Sequence, residues 1–149
     1  MKIAVLSNIN LNPLRRVSPF TLSYFSGFNQ YHLEFLKEDS EIYRNTYDVI
    51  LCHFEGEELL KEYLLEISSI KDIELELIDK LNELLIPIEN YLRKQSKSLV
   101  ILNNISLDPY QFTTHIDQNS DFSIKEIIEK TNQHLKKFSV NFSNVLLMD

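Results

Sequence analysis

Three groups of residues have the types and spacing for chemistry. Ser7 ends the apolar run of residues 3–6. A serine at a strand end can act as a nucleophile when a histidine takes its proton and backbone N–H groups hold the oxyanion. His53 and His115 are the histidines that could serve it. Cys52, His53 and Glu55 form the second group, since thiolate, imidazole and carboxylate can together hold a metal. On a strand, however, Cys52 and His53 point to opposite faces. That leaves Cys52 as a small buried apolar residue and His53 as a pocket residue at a strand end. The third group is Asn8, Asn103 and Asn104, whose amides can read the hydroxyls or carbonyls of a ligand, or instead bond to the loop backbones. The ligand-binding candidates are therefore Asn8, His53, Glu55, Asn103 and Asn104. Ser7 and Asn8 also have an ordinary reading as loop-forming caps. His115 and Asp117 lie in a long polar connection, 108–121, long enough to bind something or simply to cross the surface. His32 and His134 fall on helical patterns and read as solvated. The acidic run Glu55, Glu57, Glu58, Glu62 and Glu66 is either a solvated helix face or a docking face for a basic partner.

The elements that must position these residues follow from hydrophobic period. Residues 2–6, 48–52, 98–102 and 144–148 are short apolar runs rich in β-branched residues and Leu, the pattern of strands buried on both faces. Residues 20–25 alternate Phe20, Leu22 and Tyr24 with Thr21 and Ser23 and form a fifth candidate. Helical stripes lie between them at 29–37, at a short turn capped by Asp39 or Ser40, at 57–67, at 70–95 and at 123–138. Ser123 and Glu126 have capping-box spacing, and Pro87 should kink or divide the 70–95 stripe. Strands alternating with helices imply β-α-β units and a parallel sheet. Sites in such sheets lie beyond the carboxyl ends of the strands, which singles out residues 7–13, 53–57 and 103–118. One internal echo, LSNINLNP at 6–13 against LNNISLDP at 102–109, suggests two similar strand-end loops side by side. The last strand runs to Asp149 with no helix behind it, so the chain reads as a single domain over 1–149 that is a fragment or a truncated relative of a larger protein. The Leu-rich stripe from Ile73 to Leu92 is core first, and any surplus would mark a homodimer or interdomain contact.

Composition removes several classes. The chain has 149 residues, 44% of them hydrophobic and 25% charged, an ordinary globular mix. Net charge is −7 with no basic cluster, a poor basis for binding nucleic acid. One cysteine supports neither an internal disulfide nor a Cys-rich zinc site. Two glycines, Gly27 and Gly56, cannot spell a Gly-rich phosphate loop. No apolar run is long enough to span a membrane, and the short opening run is no signal peptide. The expected setting is cytoplasmic.

A family resemblance adds to this. The segment from Phe28 through Gln30, Tyr31, Leu36, Ser40, Ile42, Tyr43, Asp48, Val49 and Ile50 resembles the Y-x-Q-Y…L-x-x-x-S-x-L-Y…D-V-V run in the N-terminal domain of FkbH-like proteins. The closing TNQHLKKFSVNFSNVLLMD is similar to that family's helix followed by a strand ending in Asp. These are HAD-superfamily enzymes of polyketide and surface-polysaccharide pathways. The resemblance implies a three-layer α/β/α domain of SGNH-hydrolase-like or flavodoxin-like type, with a mostly parallel sheet of about five strands. It also implies an accessory domain ahead of a HAD domain that transfers a glyceryl or phosphoryl group with Mg²⁺ and an acyl carrier protein. The D-x-D-x-T signature of that catalytic domain does not occur in these residues, so Mg²⁺ and catalysis are expected only in a following domain. The short connection from Arg15 to Pro19 departs from the family's full first helix. An SGNH-like esterase using Ser7 is the competing reading. Against it, Asn8 follows Ser7 where a G-D-S block would differ, His53-Phe54-Glu55-Gly56 replaces G-x-N-D, and no Asp-x-x-His is present. A third reading is a small-molecule binding module at the strand ends.

Overall fold

The computed structural model describes residues 1–27, 30–60, 70–94, 97–106 and 124–149. The apolar runs become five strands: β1 (Ile3–Ser7), β2 (Leu22–Phe25), β3 (Val49–His53), β4 (Leu99–Asn103) and β5 (Val145–Met148). They form one sheet in the order β2-β1-β3-β4-β5, and every neighbouring pair is parallel. This is the α/β fold read from the sequence, with the 20–25 candidate present as the β2 edge strand.

Between the strands lie α1 (Leu14–Val17), α2 (Tyr31–Leu36), α3 (Glu41–Arg44), α4 (Gly56–Leu60), α5 (Ile70–Lys94) and α6 (Ile124–Ser139). Right-handed crossovers decide which face each occupies. From β2 onward the chain steps in one direction across the sheet, so the later helices fall on one face. They meet the side chains Ala4, Leu6, Ile50, Cys52, Val100, Leu102 and Val145, all fully or nearly buried. Tyr31 and Phe35 of α2, Leu59 of α4, Leu77, Leu81, Leu84, Leu85, Ile88, Tyr91 and Leu92 of α5, and Ile127 and Leu135 of α6 fill the same core. The step from β1 to β2 runs the other way, and its connection holds α1, a single turn. Arg15 of α1 lies over the Phe25 ring at 4.6 Å, and Phe25 pairs in register with Val5, so α1 sits on the opposite face.

Pro87 does not divide the long helix: α5 runs unbroken for 25 residues with Pro87 inside it. Proline removes one backbone hydrogen bond and crowds the preceding turn, at a cost of about 3 kcal/mol. The buried stripe continues on both sides of it, through Leu81, Leu84 and Leu85 and on through Ile88, Tyr91 and Leu92, and this burial holds the two halves in line. Arg93 and Lys94 end the helix where positive charge suits its dipole. The capping box at Ser123 lies outside the described residues. The echoing loops after β1 and β4 are not side by side, because β3 lies between their strands.

Truncating a core leucine of α5 tests this packing against an exposed neighbour. Leu81→Ala should lower the unfolding free energy by about 2–5 kcal/mol. Ile86→Ala, on the exposed side of the same helix, should stay within about 0.5 kcal/mol of the wild type. Paired urea titrations read both.

Candidate functional site

In an open parallel sheet the natural ligand position is the crevice where strand order reverses, beyond the strand carboxyl ends. Here that is the gap between the loops after β1 and β3. Asn8, only 2% exposed, occupies it. Its Nδ2 donates to the Glu55 carbonyl at 2.9 Å, and its Oδ1 accepts the Glu55 N–H at 2.9 Å. From the other side, Asn103 accepts the Phe54 N–H at 2.7 Å and donates to the Phe54 carbonyl at 2.9 Å. It also donates to the Asn104 carbonyl at 2.8 Å. The two backbone N–H groups after β3 that could cradle an oxyanion are thus already committed to side-chain amides.

Ser7 and His53 are partners in register on β1 and β3, so they share one face of the sheet. Ser7 is 4% exposed, and its hydroxyl oxygen accepts the Ile9 N–H at 3.1 Å, closing a tight turn. Among the described residues no hydrogen bond joins Ser7 to an imidazole. His53 is half-buried, and among the described residues its imidazole has no hydrogen-bond partner. Burial pushes its pKa below the usual imidazole value, with the nearby Glu55 carboxylate opposing the shift in part. Ser7 also borders a small cleft of about 100 Å³ with Asn10, Asn12, Ser26 and Phe25. That is room for a few water molecules.

Asn104 differs from the other two amides. Its Nδ2 donates to Asp149, its N–H donates to the Met148 carbonyl at 2.8 Å, and its buried Oδ1 has no partner among the described residues. It borders an open groove of about 540 Å³ between β5 and α6, together with Asn132, Gln133, Lys136, Leu147 and Asp149. Asn104 therefore lies away from Asn8, separated from it by β3 and its loop.

Cys52 points into the helix-covered core, fully buried, and burial pushes its thiol pKa far up. His53 faces the other way. Among the described residues no group of three His, Cys, Asp or Glu side chains could hold a metal ion, and no helix is long and apolar enough to cross a membrane. His32 and His134 are each partly exposed and also contact neighbouring side chains. The His32 ring packs edge-on against Tyr31, with centroids 5.5 Å apart, and His134 Nε2 meets Asn82 Oδ1 at 2.8 Å, joining α6 to α5. His115 and Asp117 lie outside the described residues.

The sequence reading missed Asn132. Its side chain accepts the Ile105 N–H at 2.8 Å and donates to the Ile105 carbonyl at 3.0 Å, the same two-bond clamp on the loop after β4. It also missed two partly buried phenol–carboxylate pairs, Tyr24 with Glu34 at 2.7 Å and Tyr47 with Glu41 at 2.8 Å. Burial, and then the carboxylate partner, raises both phenol pKa values well above the ordinary range. Polar residues on helical patterns carry no local mark of such distant partners.

No family model matches the chain, and no curated protein matches it. Solved structures share its fold, among them the following two. One is the N-terminal part of the protein BF1531 from Bacteroides fragilis, containing a phosphatase domain and complexed with Mg, with TM-score 0.70 and 17% identity. The match covers 98% of this chain and 39% of that one. The second, provisionally described as a platelet activating factor from Streptococcus pneumonia, has TM-score 0.56 and 17% identity, covering 98% of this chain and 64% of that one. The chain thus spans less than two thirds of the length of either structure, and at this identity the likeness shows the fold.

Removing the clamp should cost more than a surface amide would. Asn8→Ala leaves the Glu55 N–H and carbonyl unpaired and should lower stability by about 2–4 kcal/mol by urea titration. His53 should make stability pH-dependent. Its pKa is lower folded than unfolded, so at acid pH protons bind preferentially to the unfolded chain. The neutral imidazole's contribution is complete above about pH 6.5 and declines as pH falls below it. His53→Gln should flatten the urea midpoint between pH 7.5 and 5.5, taken here as about the span of that titration.

Proposed function

We propose that this chain is a non-catalytic accessory and interaction domain, of the kind that precedes the catalytic domain in FkbH-like HAD enzymes. The observation that carries this reading is the Asn8 clamp. The crevice where an α/β domain would hold its ligand is filled by the protein's own amide, bonded twice to Glu55. The serine beside it is buried, and its oxygen is engaged by the Ile9 N–H. A closed switch point supports a scaffold more readily than a turnover site. The structural likeness to a protein containing a phosphatase domain is compatible with that role, in a chain of which this one spans 39%. The natural partners would be a HAD-type catalytic domain and the acyl carrier protein that bears its substrate. Mg²⁺ would belong to that catalytic domain, as the family resemblance implies.

The register of Ser7 with His53 favours one competing reading, an esterase with Ser7 as nucleophile. Hydrolysis of p-nitrophenyl acetate separates the two. The purified chain should hydrolyse it no faster than its Ser7→Ala or His53→Ala variants. A rate that falls at least about a hundredfold in both variants would establish the esterase instead. With a HAD catalytic domain supplied, deleting residues 1–149 should reduce turnover of a carrier-bound substrate and leave turnover of a small phosphate ester unchanged.

A further inference from the structure

Among the described residues, helices cover the two faces of the sheet unequally. Helices α2, α4, α5 and α6 bury one face. Over β3, β4 and β5 the other face presents Val49, Leu51, Leu99, Ile101, Leu146 and Met148. The first four are partly exposed, while Leu146 is 51% and Met148 45% exposed. On the same face, over β2 and separated from this strip by β1, stands α1, whose Val17 is 76% exposed.

Charge is divided the same way. In a chain of net charge −7, no acidic residue precedes Glu34, and none lies within any of the five strands or α1. The acidic side chains beside the strip sit at strand ends: Asp48, which pairs with the N-terminus, and Glu55 and Asp149. Arg15 and Arg16 on α1, both exposed, make no ion pair among the described residues, and Lys97 is exposed just before β4. Among the described residues the strip is therefore apolar, with basic side chains on the same face of the sheet.

Size selects the occupant. Three strands at their usual spacing and length make a patch of about 250 Å². A stable dimer needs about 800 Å² from each copy, so a second copy is too large a demand on this patch alone. One helix, about 10 Å wide with side chains, fits it. The flanking arginines complement acidic side chains at that helix's edge.

We infer that the face of β3–β4–β5 that no described helix covers docks one amphipathic helix of a partner protein, its apolar stripe on Leu51, Ile101, Leu146 and Met148 and its acidic edge against Arg15 and Arg16. This rests on the reading of the chain as an interaction domain and gives that domain its contact surface. Partner recognition is then by an i, i+3, i+4 apolar pattern bordered by Asp and Glu.

Two synthetic helical peptides of about 15 residues test it, sharing one leucine stripe, with Glu at the other positions in one and Lys in the other. Fluorescence anisotropy with the full chain should show the Glu peptide binding at least about tenfold more tightly, with the gap closing in about 1 M salt. Leu146→Asp, an exposed substitution whose fold is checked by circular dichroism, should abolish binding of both peptides. Arg15→Glu with Arg16→Glu should reverse the preference. Equal affinity for the two peptides, no binding of either, or a dimer by light scattering that Leu146→Asp dissociates would each overturn the inference. Ser7-dependent ester hydrolysis would sink the interaction-domain reading without touching the binding result, so the two failures are distinguishable.

Discussion

A parallel strand ends in backbone N–H and C=O groups that its neighbours no longer pair, and a domain that buries them must supply partners. This protein supplies asparagine side chains. An amide carries a donor and an acceptor side by side, so it can close a ring with one residue's N–H and carbonyl. Asn8 does this at Glu55, Asn103 at Phe54 and Asn132 at Ile105. At the opposite end of the sheet, Asn144 donates to the Ser98 carbonyl at 2.9 Å, and the buried Ser98 hydroxyl donates to the Tyr47 carbonyl at 2.7 Å. The loop after β3 is gripped from both sides, by the loop after β1 and by the end of β4. That is the physical sense of the echo between residues 6–13 and 102–109: the two loops flank a third and each lends it an amide.

The same clamp sets the functional character of the molecule. An α/β domain with an open switch point offers a ligand its strand-end N–H groups. Here those groups are spent on the domain's own cohesion. What remains unsatisfied is lateral. One sheet face lacks a full helical layer among the described residues, and the charge of the chain is drawn away from it onto the helices of the other face. A rigid sheet with a plugged crevice and an apolar, acid-free face suits a surface that holds something in place.

Burial explains where chemistry is quiet. Cys52 lies on the helix-covered side and is held as a thiol by desolvation. Tyr24 and Tyr47 sit 6.4 Å apart between centroids, each donating to a carboxylate that anchors α2 or α3 beneath the sheet edge. Tyr91 of α5 reaches Ser98 at 3.4 Å and so joins the long helix to the start of β4. These polar groups position elements, and none of them faces the strand-end crevice.

The sequence by itself determined the α/β class, the five strands and most of the helices, because apolar period is a local property. IAVL, VILC and LVIL are apolar enough to form interior strands, VLL carries the same pattern at the β5 edge, and the stripe from Leu77 to Leu92 can bury only one side of a helix. It also determined that Cys52 and His53 part company, since strand side chains alternate. Tertiary structure alone decided what the asparagines do, because Asn8 and Glu55 are 47 residues apart and Asn103 and Phe54 are 49 apart. An amide carries the same local signature whether it meets a ligand or a distant carbonyl. Tertiary structure also decided that Pro87 stays inside a continuous helix and that His32 and His134 pack against neighbours. It left one sheet face thinly covered, through crossover handedness acting on a first connection only one turn of helix long. For the asparagines, Pro87 and His134 the deciding energy is a contact between residues far apart in the chain, and local pattern does not encode it, whereas His32 meets its own neighbour Tyr31.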